Sequence, residues 1–344
     1  MGAFEILTPW KNKTQPFLKQ ASLKQNAPFL VATGQFMPLT RPAQQIFIRL
    51  LGQGTHGVVH LAVKSNAGNP QYVAVNSSSL SKCSSLVKEN RVLSKFTGYP
   101  NVIQWYGNEL STDANGFQVY RLILEYAPHG TLLDLIRTCA GIVPEPIVRS
   151  FNRMILEGLA CIHDKGGFVH CDLKPENILV FPPVDGNSLC HLKIADFGLS
   201  KEPGEEELEA AVGVSWKFNF RGTPMYMSPD SLKNGSITPS LDIWSLGCVV
   251  MKMLSNRAPW NHLDLENLFL QLVRTVEPPA VPENLSEMAK DFLSRCFLMD
   301  PDERWTANML LLHPFVYPNM MNFGDGEMVS GDSSRSGRVY IKIT

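Results

Sequence analysis

The chain has 344 residues, of which 44% are apolar, and its formal net charge is −1 at pH 7. A chain of this length and apolar content can form a sizeable buried core. Its balanced charge lacks the positive excess that favours binding to nucleic acid or to a membrane surface. The seven cysteines lack a C-x-x-C pair, which argues against a disulfide framework or zinc site and predicts reduced intracellular thiols. The expected location is the cytoplasm, with the nucleus as the alternative left open.

Residues 1–45 are polar, punctuated by Gln and Pro, and without sustained periodicity. This pattern predicts an N-terminal extension whose order the sequence leaves open. We expect no secretory signal, because the basic-then-apolar order is missing, and no apolar run reaches transmembrane length. Met1-Gly2 begins like a myristoylation signal, but Ile6 and Leu7 stand where Ser or Thr is required.

A glycine-rich segment follows, in which Gly52, Gly54 and Gly57 form the pattern G-x-G-x-x-G. Glycines let the backbone lie close over phosphates and offer N–H donors without side-chain obstruction. Dinucleotide-binding sites use the same letters, but there the glycines open a helix. Here the segments Val58 to Val63 and Tyr72 to Val75 are rich in β-branched residues, so the pattern predicts a phosphate-covering β-hairpin.

The next strand ends at Asn76, and a helix is predicted at about Ser84 to Lys95, with Glu89 within it. Farther along, Leu122 to Ala127 is an apolar strand that runs into a turn signal at Pro128 to Gly130. These elements predict a mostly β region that ends at this turn.

The pattern becomes helical after the turn. Glu145 and Pro146 begin a predicted helix with one apolar stripe, formed by Ile147, Phe151, Ile155, Leu159 and Ile162. Later helices are predicted near Leu263 to Arg274, Ser286 to Phe297 and Thr306 to His313. From Pro318 onward Gly, Ser and Asp dominate, which predicts a flexible tail.

Two motifs in this half bear chemistry. His170-Cys171-Asp172-Leu173-Lys174-Pro175-Glu176-Asn177 has the pattern H-x-D-x-x-x-x-N, and Asp196-Phe197-Gly198 follows a short apolar run. With the glycine hairpin upstream, their order and spacing resemble the protein kinases. The resemblance covers residues 46–316, with an N-lobe at 46–124, a hinge at 125–130, a C-lobe at 131–316 and a tail at 317–344. It implies an α+β, bilobal protein-kinase fold, with a mostly β N-lobe that contains helix αC and a helical C-lobe.

The resemblance also implies the site and its cofactors, ATP and Mg²⁺. Asp172 would accept the proton of an attacking hydroxyl, Lys174 would stabilise the transferred phosphoryl, and Thr223 would organise both, while Asn177 and Asp196 would bind the metal. The implied ATP-binding residues are Leu51, Gly52, Gly54, Gly57, Val59, Ala74, Asn76, Glu89, Leu124, Glu125, Ala127 and Leu179. Backbone groups of Glu125 and Ala127 would pair with adenine, and Leu124 would gate the pocket behind it.

Asn76 departs from the family pattern. Protein kinases place a lysine here, which holds the ATP phosphates and pairs with the glutamate that Glu89 matches. An asparagine amide is shorter and neutral, so we expect a reduced rate. The alternative cations are Lys64, Lys82 and Lys88, none of which lies on the Asn76 strand.

Other family landmarks refine the class. Lys174 and Gly222-Thr223-Pro224 resemble Ser/Thr kinases, and Cys171 replaces an arginine that grips an activation-loop phosphate in many kinases. Asp230, in Ser228-Pro229-Asp230, is expected to form a buried ion pair with Arg304. Asp242 is expected to anchor the catalytic-loop backbone.

The five glutamates between Lys201 and Ala210 are predicted to form a solvated acidic face, and Ser215 is a candidate modification site. Both expectations concern the segment between Asp196-Phe197-Gly198 and Gly222-Thr223-Pro224. No internal repeat is found along the chain.

Within the family, the octet and the Ser-rich stretch after Asn76 look most like plant mitogen-activated protein kinase kinase kinases. This resemblance implies a protein substrate, for which a downstream kinase is the candidate. From the balanced charge we expect no nucleic-acid or membrane partner. Two classes of function remain open: an ATP-dependent Ser/Thr phosphotransferase, favoured by Asp172, Asn177 and Asp196, and a catalytically impaired pseudokinase scaffold, favoured by Asn76. A small-molecule phosphotransferase ranks third.

Overall fold

The N-terminal half of the structure is a five-stranded antiparallel sheet with one helix packed against it. The computed structural model describes residues 45–54, 57–65, 70–183, 189–202, 205, 222–234, 237–275 and 277–317. The strands are β1 (Gln45–Gly54), β2 (Gly57–Ser65), β3 (Pro70–Ser79), β4 (Trp105–Thr112) and β5 (Gln118–Glu125), in the order β1-β2-β3-β5-β4. Helix α1 (Ser84–Leu93) lies between β3 and β4 in the chain and contacts β4 and β5.

The alternation of side chains along β3 assigns its two faces. Val73 and Val75 are fully buried on one face, where they pack with Ala62 and Ile123. Because successive strand residues point to opposite faces, Ala74 and Asn76 share the other face. The glycine-rich pattern lies at the turn between β1 and β2, which confirms the predicted hairpin.

The C-terminal half is helical, apart from one small hairpin. Its helices are α2 (Leu132–Thr138), α3 (Glu145–Ala160), α4 (Pro229–Asn234), α5 (Pro239–Ser255), α6 (Leu265–Arg274), α7 (Glu287–Cys296) and α8 (Ala307–Leu311). Strands β6 (Ile178–Phe181) and β7 (His191–Ile194) form an antiparallel pair between α3 and α4. The α+β, bilobal architecture is therefore as predicted.

Two helices form the centre of this half. The apolar stripe predicted for α3 is buried along its length, and Pro146 lies in its first turn, where a missing N–H is tolerated. Helix α5 is buried on nearly all sides, as expected for a helix that is apolar all round. It ends at Asn256, whose φ of 58° is the left-handed conformation that closes many helices.

None of the helices within the described ranges is both long and apolar enough to cross a membrane. Several predictions fall outside those ranges: the extension up to residue 44, the candidate site Ser215, three of the five glutamates, and the tail from residue 318.

Candidate active site

The backbone of the catalytic loop, His170 to Asn177, is held by a buried carboxylate. Asp242 in α5 is fully buried and accepts the N–H groups of His170 (2.7 Å) and Cys171 (2.9 Å). Cys171 has a φ of 69°, a left-handed conformation that residues other than glycine rarely adopt. The two hydrogen bonds stabilise this conformation, which confirms the anchoring role predicted for Asp242.

Three side-chain donors orient the carboxylate of Asp172. Lys174 Nζ (2.7 Å) and Asn177 Nδ2 (3.0 Å) donate to Oδ2, and Thr223 Oγ1 donates to Oδ1 (2.7 Å). Lys174 Nζ also donates to Thr223 Oγ1 at 2.8 Å. The structure thus brings these four predicted catalytic residues into one hydrogen-bonded group.

Thr223 reaches Asp172 because its neighbour Gly222 packs directly on the catalytic loop. A Cβ atom at Gly222 would lie 2.3 Å from the carbonyl oxygen of Cys171, and the φ of Gly222 is 112°. Both observations require glycine here, since a side chain would push the two segments apart.

The pairing of β6 with β7 brings the two predicted metal ligands together. Ile178 pairs with Ile194, and the N–H of Ala195 donates to the carbonyl oxygen of Asn177 at 2.9 Å. Asn177 directly precedes β6 and Asp196 follows β7, so the two residues lie at the same end of this hairpin. Asn177 Nδ2 donates to both the carboxylate and the carbonyl oxygen of Asp172, so Oδ1 is the side-chain atom that remains for a cation.

The ring of Phe197 fixes the chain beside Asp196. Phe197 is fully buried, stacks on Phe96 with ring centroids 6.2 Å apart, and meets the edge of His170 at 4.9 Å. His170 Nε2 donates to the carbonyl oxygen of Ala195 at 3.0 Å. The loop that bears Asp172 and the segment that bears Asp196 are therefore packed as one unit.

The predicted nucleotide-binding residues of the sheet lie on neighbouring strands. Val59 pairs with Gly52 on one side and with Asn76 on the other, and Ala74 pairs with Leu124. Leu124 is only 9% exposed, in keeping with its predicted place at the back of the pocket.

The remaining pocket residues come from three segments. Leu51 is half-buried in β1, while Ala127 and Leu179 are half-buried and pack against the main core. The carboxylate of Glu125 is bound by Lys193 Nζ at 2.8 and 2.6 Å. It also accepts the N–H of Gln104 at 3.2 Å, so this side chain is occupied. The pairing of a ligand with the backbone of Glu125 and Ala127 stays a prediction.

The glycine hairpin rests directly on Asn76. A Cβ atom at Gly57 would lie 2.5 Å from Asn76 Oδ1 and 2.8 Å from the carbonyl oxygen of Ser77, whereas Gly52 and Gly54 face open space. Asn76 Oδ1 is buried and has no hydrogen-bond partner among the described residues. An orphaned buried oxygen of this kind is costly unless a ligand or water satisfies it.

Glu89 in α1 is the second unusual group of the site. The residue is 3% exposed, its carboxylate accepts the N–H of Phe197 at 3.3 Å, and no cation within the described ranges forms an ion pair with it. Burial raises the pKa of the Glu89 carboxyl to about 8, and the charge of Asp196 adds to this rise, while the Phe197 N–H opposes it. Glu89 is therefore mainly protonated at neutral pH.

None of the three alternative lysines supplies the missing cation. Lys64 pairs with Gln71, roughly 16 Å along the strands from Asn76, which is beyond the reach of a lysine side chain. Lys82 is exposed, and Lys88 Nζ is bonded to Glu205 Oε1 at 2.8 Å.

This last contact corrects the prediction of a solvated acidic face. Glu202 and Glu205 form part-buried ion pairs with Arg91 and Lys88, because α1 presents two cations to the start of the acidic run. For these two glutamates the prediction was wrong.

The buried ion pair predicted between Asp230 and Arg304 is present, with Nη2 donating to Oδ1 at 2.7 Å. The Arg304 side chain is fully buried and also donates to the carbonyl oxygens of Leu298 and Ser240, both at 2.9 Å. None of these contacts involves Asp172 or the three residues that donate to it, and we assign them a structural role.

Comparison with known proteins agrees with this geometry. The family described as Protein kinase domain matches residues 46–316. The chain belongs to the protein kinase family. It is 40% identical over 272 residues to mitogen-activated protein kinase kinase kinase 20 of Arabidopsis thaliana, across 77% of this chain and 76% of that protein. Kinases 17 and 18 of the same name and organism are each 35% identical, across 78% and 85% of this chain and 68% and 83% of their own lengths.

This Ser/Thr protein kinase thus resembles the plant mitogen-activated protein kinase kinase kinases, as the sequence predicts. Membership of the family implies the use of ATP and Mg²⁺. The residues present fit the metal, since Mg²⁺ is ordinarily held by one or two protein oxygens together with phosphate oxygens. Asn177 Oδ1 and the Asp196 carboxylate are oxygens of this kind.

Sequence reasoning missed three features of this kinase. His163 Nε2 lies 2.9 Å from Asp242 Oδ2 and joins the anchor of the catalytic loop, and no local pattern marks it. The other two features are the ion pairs of Lys88 and Arg91, which the spacing of cations on α1 and the acidic run after Ser200 could have indicated.

Proposed function

We propose that this kinase transfers the γ-phosphoryl group of ATP to Ser/Thr hydroxyls of a downstream kinase in a mitogen-activated cascade, at a rate lowered by Asn76. The observation that carries the proposal is the hydrogen-bonded group of Asp172, Lys174, Asn177 and Thr223 beside Asp196. The names of the similar Arabidopsis proteins support the place in a cascade.

In this proposal each residue has a defined task. Asp172 orients the substrate hydroxyl and accepts its proton, and the three donors hold the carboxylate in position for this. Lys174 stabilises the charge of the transferred phosphoryl. Asn177 Oδ1 and Asp196 hold Mg²⁺, which neutralises phosphate charge when it is bound.

Asn76 lowers the rate because it offers the phosphates a neutral amide in place of a cation. Removing one preorganised electrostatic donor from an active site typically slows the reaction by about 10² to 10³. The site keeps its base and metal ligands, so we infer a slow enzyme rather than an inactive one.

The test compares the chain with its Asp172→Ala variant. Transfer of labelled phosphate from ATP to a recombinant mitogen-activated protein kinase kinase is measured, together with the affinity of each protein for ATP and Mg²⁺. We expect measurable transfer by the parent chain and a loss of at least about 10³-fold in the variant. A parent indistinguishable from Asp172→Ala would refute the enzymatic function.

A pseudokinase scaffold is the second candidate. It is favoured by the unpaired oxygen of Asn76 and by the absence of a cation at Glu89 within the described residues. In the same experiment, ATP binding without Asp172-dependent transfer would establish this function instead.

A further inference from the structure

The outward face of α1 is tied to the segment that follows Asp196. Lys88 Nζ donates to Glu205 Oε1 at 2.8 Å and to the carbonyl oxygen of Ser200 at 3.2 Å. Arg91, one helical turn later, forms an ion pair with Glu202. Two successive turns of the helix therefore contact one short stretch of chain.

The two ion pairs are connected and partly buried. The N–H of Glu202 donates to Glu205 Oε2 at 2.9 Å, so the two acidic partners are fixed relative to each other. The exposed fractions are 21% and 16% for Lys88 and Glu205, and 35% and 23% for Arg91 and Glu202. A connected, part-buried network contributes more than isolated surface pairs do.

The face of α1 that bears Glu89 has no corresponding ion pair within the described residues. Glu89 meets no cation in the described parts of the chain, and its hydrogen bond from Phe197 N–H is 3.3 Å long. Since Asn76 cannot form an ion pair with Glu89, the charged contacts that hold α1 against the site are on its other side.

We propose that the clamp formed by Lys88, Arg91, Glu202 and Glu205 positions α1 over the active site, in place of the ion pair that Asn76 cannot make. The four are positioning residues, because they act through Glu89 and Phe197 on the segment that bears Asp196. Both acidic partners are unmodified glutamates, so the clamp requires no phosphorylation. The inference rests on the proposed function only in assigning Asn76 to the phosphate site.

The test is a double-mutant cycle with Lys88→Met and Glu205→Gln. It measures the Kd for ATP, hydrogen exchange of the α1 amides, and the melting temperature, none of which depends on catalysis. We expect each single variant to weaken ATP binding about five-fold and to speed exchange in α1, and the double variant to be no worse than either. In an Asn76→Lys background the same changes should have less than a two-fold effect.

Lys290→Met is the matched control, because Lys290 forms an exposed ion pair with Glu287 on α7. It should leave ATP affinity and α1 exchange unchanged. Additive losses in the double variant, unchanged α1 exchange in the single variants, or an undiminished effect in the Asn76→Lys background would overturn the clamp. Absence of phosphate transfer alongside the expected binding changes would count against the proposed function alone.

Discussion

Asn76 and Glu89 match the two positions that the family resemblance assigns to an ion pair; here the cation is replaced by a neutral amide, and burial raises the pKa of the Glu89 carboxyl to about 8. Asn76 is neutral by its chemistry, and burial keeps the proton on Glu89. Removal of the cation therefore leaves the site without an uncompensated negative charge at Glu89. In the proposed function, the deficit falls on the ATP phosphates, which lack a positive partner at Asn76.

Asn76→Lys is expected to raise kcat/KM for ATP by about 10²-fold, because it restores a cation to the phosphate site. Steady-state kinetics at pH 7.5 measure this change. Asn76→Met is the matched control, since it has similar length without charge, and it should give no gain. Equal gains from both variants would show that side-chain length, and not charge, limits the parent.

Glu89 should make stability depend on pH. Its pKa in the folded chain, about 8, lies above the ordinary 4.5, so the folded chain holds a proton that the unfolded chain releases. The stability due to this proton is fully present below about pH 4.5 and is lost as the pH rises through 8. The difference between 4.5 and about 8 corresponds to about 5 kcal/mol.

Glu89→Gln mimics the neutral acid, so we expect it to flatten this pH dependence and to stabilise the chain at pH 8.5. Urea unfolding of both proteins at pH 5, 7 and 8.5 measures the difference. Parallel pH profiles would mean that Glu89 is ionised in the folded state and that this assignment of its charge is wrong.

At the scale of elements, two hairpins create the site. The β6-β7 hairpin places Asn177 and Asp196 at the same end of its two strands. The β1-β2 hairpin lies over Asn76, with Gly57 in contact. The register of β6 with β7 brings Asn177 close to Asp196. The lack of a side chain at Gly57 allows the β1-β2 hairpin to lie on Asn76. Both depend on backbone geometry more than on the identity of the surrounding side chains.

Gly57→Ala is expected to lower the free energy of unfolding by about 1–2 kcal/mol, because its Cβ would overlap Asn76 Oδ1 and the Ser77 carbonyl oxygen. Gly54→Ala is the control, since a Cβ atom there meets nothing within 4 Å. Thermal and chemical unfolding compare the two variants. An equal loss in both would indicate a backbone effect and not a steric one.

At the scale of the whole molecule, α5 connects the site to the core. Asp242 in its first turn anchors the catalytic loop, while its later residues pack against α7 and the rest of the apolar core. Arg304, which lies much later in the chain, donates to the carboxylate of Asp230 in α4 and to the carbonyl oxygen of Ser240 in α5. The site is therefore held by residues that are distant in sequence.

Arg304→Ala should destabilise the chain by about 3–5 kcal/mol, because it leaves Asp230 buried without its partner. Arg137→Ala is the matched control, since Arg137 forms an exposed pair with Asp134 and should cost less than about 1 kcal/mol. Denaturant unfolding measures both. Similar small losses would show that water compensates Asp230.

Much of the fold could be predicted from the sequence, because its signals are local. The β-branched runs, the glycine hairpin and the apolar stripe of α3 each indicate their element within a short window. The motif residues Asp172, Asn177 and Asp196 were found in the same way. The contact of Thr223 with Asp172 and the Asp230–Arg304 pair required the family resemblance, since each joins segments far apart in the chain.

The order of the elements could be deduced from local patterns, and the family resemblance added the bilobal fold and the replacement of the phosphate-site lysine by Asn76. Three features became visible in the folded chain alone: Glu89 is buried without a cation within the described parts of the chain, Lys88 is bound to Glu205, and two of the acidic residues form ion pairs. Element type depends on the local periodicity of side chains. The charge state and partners of a side chain depend on desolvation and on which distant segments pack against it, and these exist only in the folded chain.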